Sequence, residues 1–217
     1  MPPAKTTGER PLRADAQRNR RRVLAAAETL FGQSGNGATI EDIAKEAGVG
    51  VGTVCRHFPT KQALLDEVLV ENYRELVADA EEALASHEPA AAFEQFVHRL
   101  AAHQARRRVL AEQMATDLAL PPAAEELRVA MRRNITELLE RAQAAGAVRA
   151  DISPADTSML FAGVAQITAV AGGDAALRER FVAVMMDGLR PAGANPLPGQ
   201  PLQYRDLDRL LAKKQKG

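Results

Sequence analysis

Residues 39–61 read TIEDIAKEAGVGVGTVCRHFPTK, and the fold class turns on them. Ala44, Gly48 and Val54 keep the spacing of a helix-turn-helix, here spanning 39–58. A small residue lets the second helix cross closely, a glycine makes the turn, and a branched apolar residue seats the second helix. Thr39 with Asp42 three residues on predicts a capped start to the first helix. Ile40, Ile43, Ala44 and Ala47 then fall on one helical face. In the second helix Val51, Val54 and Phe58 share a side. Gly52, Thr53 and Arg56 lie opposite, flanked by Cys55 and His57. A helix with small and cationic residues outward is the shape a DNA major groove admits.

Two other readings of the stretch fail on physical grounds. Gly48, Gly50 and Gly52 are not a phosphate-cradling nucleotide loop, because no strand precedes them. Cys55 and His57, two residues apart on a helix, point about 200° from each other and cannot act on one atom.

Here the chain resembles a known family. Residues 16–76 are similar to the DNA-binding domain of the tetracycline-repressor (TetR) family of regulators, through Ala26, Leu30, Phe31, Gly35, Thr39, Ile43, Ala44, Gly48, Val49, Gly52, Thr53, Arg56, His57, Phe58, Pro59, Lys61, Ala63 and Leu64. It departs at Cys55, where the family usually has Tyr, and at Val51, often basic there. The resemblance implies an all-α protein, with a three-helix DNA-binding domain joined to a helical domain that binds an effector and dimerises. The residues expected at DNA are Thr39, Gly50, Val51, Gly52, Thr53, Cys55, Arg56, His57, Lys61 and Arg22. Lys61 begins the next helix, where free N–H groups and the dipole also favour a phosphate. One of Arg20, Arg21 and Arg22 is expected to meet the backbone.

The rest of the chain agrees. The 217 residues carry 28 Lys and Arg against 28 Asp and Glu. That balance hides an asymmetry: residues 1–61 hold ten Lys/Arg and six Asp/Glu, a net +4, leaving −4 for the remainder. A basic end on an acidic remainder fits one DNA-reading domain attached to something else. No apolar run approaches the roughly 20 residues of a membrane span, and no charged-then-apolar leader is present, so a cytoplasmic protein is expected. One Cys excludes an internal disulfide framework and any multi-thiolate metal site. No paired carboxylates or nucleophile–base couple suggest an enzyme, and no cofactor or metal is implied. His98 and His103, about 140° apart around a helix, are not a metal pair.

Along the chain, 1–13 reads as a disordered basic tail, 14–76 as the DNA-binding domain and 77–190 as the helical effector and dimerisation domain. Residues 191–217 read as a Pro/Gly-rich linker and a short tail that packs on the body or stays disordered. Helices are predicted over 14–34, 60–85, 89–105, 107–119, 123–145, 153–171 and 174–189, with Ser153, Pro154 and Asp156 starting one of them. Phe93, Phe96, Leu100 and His103 share a face, and with Met114, Met131, Ile135 and Phe161 they could line an effector cavity or simply fill a core. Leu160, Gly163, Val164 and Ile167 mix small and apolar residues. With Phe181, Met185 and Met186 they form the candidate homodimer seam. Arg106–Arg108 reads as a solvated corner. The partners expected are operator DNA, a second copy and an unidentified small-molecule effector. The competing function is an effector-independent DNA-binding or partner-recruiting architectural protein.

Overall fold

A computed structural model describes residues 9–34, 37–106, 120–170, 174–191 and 195–214. The predicted helix 107–119, Met114 and the Arg107–Arg108 corner lie outside the described residues. The described helices are α1 (Glu9–Ser34), α2 (Ile40–Ala47), α3 (Val51–His57), α4 (Lys61–Leu84), α5 (Pro89–Arg106), α6 (Pro122–Ala144), α7 (Pro154–Val170), α8 (Ala175–Leu189) and α9 (Tyr204–Lys214). Two compact units divide the chain inside α4, after Val68. Among the described residues, no helix is long and apolar enough to cross a membrane.

The first unit holds α1–α3 and the start of α4. Val23, Ala27, Phe31, Ile43, Val54 and Leu64 are all fully buried in it. Large apolar side chains at this spacing contribute roughly 1.5–3 kcal/mol each on burial, which is what holds such short helices in place. The α2 start is as the sequence predicts. The Asp42 amide donates to Thr39 Oγ1 at 3.1 Å, and the Thr39 amide donates back to Asp42 Oδ2 at 3.1 Å. Removing that cap by Thr39→Ala should cost about 1 kcal/mol, seen as faster amide exchange across 40–47 in the intact chain. Unchanged exchange there would contradict the cap. The Thr39 hydroxyl also bonds Asp42 Oδ2 and holds that carboxyl below its ordinary value. The stabilisation is therefore full above the ordinary carboxylate range and is lost as pH falls through the lowered folded value.

Two expectations need correction in this unit. The first helix begins at Glu9, so residues 9–13 belong to it and not to a tail. Pro11 in the first turn costs nothing there, since the first amides of a helix have no acceptor within it. Val51 is 41% exposed and so leaves the core face to Val54 and Phe58. It opens a seven-residue helix, before the turn has closed against α1 and α2.

The second unit packs α5 against α6, α7 and α8 around one core, which also takes in the C-terminal half of α4. Phe93, Phe96, Val97 and Leu139 lie at its centre, each at most 1% exposed. The α7 start is again as predicted: the Asp156 amide donates to Ser153 Oγ at 3.0 Å, and the Ser153 amide to Asp156 Oδ2 at 2.9 Å. The expected linker differs in its described part, 195–203, whereas the tail beyond it takes the first of its two expected courses and packs on the body. Residues 195–203 are bonded along the second unit, and α9 packs on it with Leu207 buried. Pro and Gly exclude regular helix there, yet they do not prevent backbone bonds to side chains of the body.

Candidate nucleic-acid interface

The turn between α2 and α3 is built by backbone geometry. Gly48 closes α2 at φ 61°, the left-handed region, with the Val49 amide donating to the Ala44 carbonyl at 3.0 Å. Arg22 reaches across from α1, and its Nη2 donates to the Gly48 carbonyl at 3.3 Å. A Cβ on Gly48 would stand 2.6 Å from that nitrogen; the arginine's flexible end could shift aside at the expense of its bond to the Gly48 carbonyl, so it is the positive φ that restricts position 48.

Gly50 and Gly52 differ from Gly48. A Cβ at either would meet nothing within 4 Å. The fold itself does not require glycine there, and the bare backbone leaves room on the outside of α3. Around that room Val51, Gly52, Cys55 and Arg56 are exposed, and Thr53 is half-buried. His57 is half-buried against Phe58, their rings 6.3 Å apart. Cys55 is a free thiol. Thr39 is exposed at the head of α2. The surface is thus narrow, small in side chains and positive, with no carboxylate on α3.

The flanking cations are arranged differently from one another. Lys61, in the first turn of α4, places Nζ 5.9 Å from the Phe31 ring centroid. Arg20 lies 5.5 Å from the Phe58 ring centroid and pairs with Glu67 at 2.7 Å. These contacts hold α1 and α4 around the end of α3, and cations over aromatic faces are worth about 0.5–1 kcal/mol at exposed sites. Arg21 is exposed, and Arg22 spends one nitrogen on the Gly48 carbonyl. Sequence reasoning missed the support that Arg20 gives to Phe58, because a cation 38 positions from its ring leaves no local pattern.

In the second unit the candidate effector residues come together. Phe93, Phe96, Leu100, Met131, Ile135 and Phe161 belong to one buried cluster. His103, 3% exposed, sits at the end of the same α5 face with Nε2 3.3 Å from Glu75 Oε2. The cleft beside Leu100 and Phe161, bounded also by Val97, Ala101, Val164 and Met185, has no space wide enough for a water molecule. Of the candidate seam, Leu160 and Ile167 are 41% and 44% exposed and Gly163 is exposed beside them. Phe181, Met185 and Met186 are half-buried against the core. Val164, 8% exposed, belongs to the core of its own chain and is withdrawn from the seam. It lies one turn on from Leu160 but faces α5, which periodicity alone does not distinguish in a helix apolar nearly all round.

Known proteins match both units. The family described as bacterial regulatory proteins of the tetR family matches residues 23–68, and the C-terminal domain of SbtR-like transcriptional regulators matches residues 88–191. The crystal structure of a TetR transcription regulatory protein from Mycobacterium vanbaalenii is 38% identical, covering 83% of this chain and 99% of that one, with a TM-score of 0.62. The TetR transcriptional regulator SCO0520 from Streptomyces coelicolor is 30% identical, covering 80% and 99%, also with a TM-score of 0.62. The HTH-type transcriptional regulator UidR of Escherichia coli (strain K12) is 26% identical over 154 residues, 69% of this chain and 79% of that protein. A 35% identical match to the HTH-type transcriptional regulator SAR0097 of Staphylococcus aureus spans 42% of that protein.

Proposed function

Because this chain belongs to the TetR family of transcriptional regulators, we propose that it is a repressor that binds a palindromic operator as a homodimer and is released by a small molecule. The observation that carries the reading is the outer face of α3. Gly50 and Gly52 leave open space that none of the described residues fills, and Arg56 stands exposed beside it. A recognition helix needs this combination, close backbone approach to base edges plus a cation to read or neutralise them. Thr39, Thr53, His57, Lys61 and Arg22 border the same surface in this reading, with Val51 and Cys55 on it.

The seam is the exposed apolar strip of α7, Leu160, Gly163 and Ile167, paired with its symmetry mate and with α8. Two heads are needed because one covers only half of a palindromic site. The effector is placed among Phe93, Phe96, Leu100, His103, Met131, Ile135 and Phe161. Since the cleft there is closed, a ligand must part α5 from α7 and α8 to enter, and in this reading that is how its binding biases the heads. Selection from random duplex DNA by the full chain should enrich a two-fold symmetric site with half-sites about one helical turn, roughly 10 bp, apart. Failure to enrich any sequence would defeat the reading.

Cys55 gives a second test. The family's usual Tyr offers a hydroxyl to phosphate, and a thiol is shorter and a weak donor. Cys55→Tyr should tighten operator binding by about threefold to a hundredfold, one added neutral hydrogen bond per head, without changing base preference. An unchanged affinity would mean that position 55 does not face a phosphate.

A further inference from the structure

The helix α3 is weakly anchored by its own residues. Of its seven, only Val54 is buried, and among the described residues no side chain caps its start at Gly50. At 1.5 Å per residue the helix is about 10.5 Å long, seated near its middle. One buried seat sets the tilt loosely, so whatever holds the two ends decides how α3 points. A tilt of about 10° around Val54 moves either end by about 1 Å, enough to spoil a base-edge hydrogen bond that requires about 2.7–3.2 Å.

α1 supplies a hold at each end. At the start, Arg22 donates to the Gly48 carbonyl at 3.3 Å, in the turn that leads into α3. At the far end, the Phe58 amide donates to the Val54 carbonyl at 2.8 Å, and the Phe58 side chain is buried. Over its ring lies the Arg20 guanidinium, 5.5 Å from the centroid. Arg20 is itself held by α4, where Glu67 Oε1 stands 2.7 Å from its Nη2. All of these groups belong to the first unit. Both side chains of the ion pair are partly exposed, and pairs of that kind add little to stability. Its consequence is geometric: Glu67 keeps the guanidinium on the ring that ends α3.

We infer that Glu67, Arg20 and Phe58 form a relay that sets the tilt of α3, with Arg20 a positioning residue for base reading and not a phosphate contact. The part played in base reading rests on the function proposed above; the hold on Phe58 does not. Phosphate contacts act through charge and tolerate a small tilt, whereas base edges demand fixed geometry. Loss of the relay should therefore cost specificity and spare general affinity. Glu67 gives the sharper case. Taking a carboxylate out of a DNA-binding unit should by charge alone tighten binding to every duplex, yet the relay predicts a gain for unrelated sequences only.

The test compares the full chain and its variants on the duplex it selects and on a scrambled duplex of equal length, across salt concentrations. Arg20→Ala and Glu67→Ala should each lower the ratio of the two affinities at least about tenfold, the size of one mismatched base pair in each half-site. Arg20→Lys should lower it less, since a cation still sits on the ring. Ala is the best helix former, so the substitutions do not weaken α1 or α4. A partly unfolded head would lose both affinities alike and leave the ratio alone. An Arg20→Ala loss equal on both duplexes, with the salt dependence flattened by about one unit per head, would make Arg20 a phosphate contact and overturn the relay. A ratio that either Ala variant leaves unchanged would overturn it too. Without DNA, the relay is read in the exchange of the Phe58 amide, which both Ala variants should speed at least about threefold. In a chain that selects no duplex the proposed function falls, while faster exchange keeps the relay and unchanged exchange overturns it.

Discussion

Gly163→Glu should give a folded monomer that binds operator at least about a thousandfold more weakly than the parent chain. A Cβ at Gly163 would meet nothing within 4 Å, so the isolated protomer accommodates the side chain. Glu is also the better helix former, by a few tenths of a kcal/mol or more. Any loss must then come from a second molecule. In the proposed seam the two Glu side chains would meet across the dyad, like charges in a surface otherwise made of Leu160, Ile167 and their mates. Dimeric regulators bind specific sites with Kd of roughly 10⁻⁸–10⁻¹¹ M. A single head keeps about half of that free energy, hence the size of the drop. Sedimentation gives the mass and a duplex titration gives the affinity. A variant that stays dimeric moves the interface off α7.

Arg56→Ala has the next largest expected effect. Arg56 is exposed in the last turn of α3, and among the described residues its guanidinium is bonded to none. Its loss should leave the melting temperature unchanged. At DNA it either reads a base edge, about 1–3 kcal/mol per head, or neutralises a phosphate. Doubled over two heads, base reading gives a loss between about thirtyfold and ten-thousandfold, concentrated on one base position in each half-site. Phosphate neutralisation gives a loss uniform over sequences, and a salt dependence flattened by about one unit per head. Neither change in the variant would take Arg56 out of the interface.

What could be read in the sequence, and what could not, follows from the range of each interaction. The Thr39–Asp42 and Ser153–Asp156 caps involve partners three residues apart, and each shows in the letters. Gly48 shows because its turn demands a left-handed residue. The bonds that hold 195–203 to the body did not show, because the groups held at 195, 197 and 202 are backbone ones. A main-chain carbonyl accepts equally from any residue type, so the Arg149–Asn195 bond leaves no signature at position 195. Arg141 is hidden for the same reason, since its acceptors at 84 and 86 are carbonyls. Val164 and Val51 were misplaced because short or uniformly apolar helices do not say which side faces the body. The closed cleft beside Leu100 and Phe161 is a matter of packing, and side-chain identity alone does not fix whether a core has space.

The central claim is that the outer face of α3 meets DNA, and Cys55 reports on it without any substitution. It is the one cysteine of the chain and is exposed on that face. Its rate of alkylation by iodoacetamide, measured with and without a saturating amount of the selected duplex, reads the contact directly. The rate should fall at least about tenfold on binding, as expected for a thiol covered by the partner, and recover when salt dissociates the complex. An alkylation rate unchanged at full saturation would mean that DNA binds elsewhere on the molecule and that α3 does not read it.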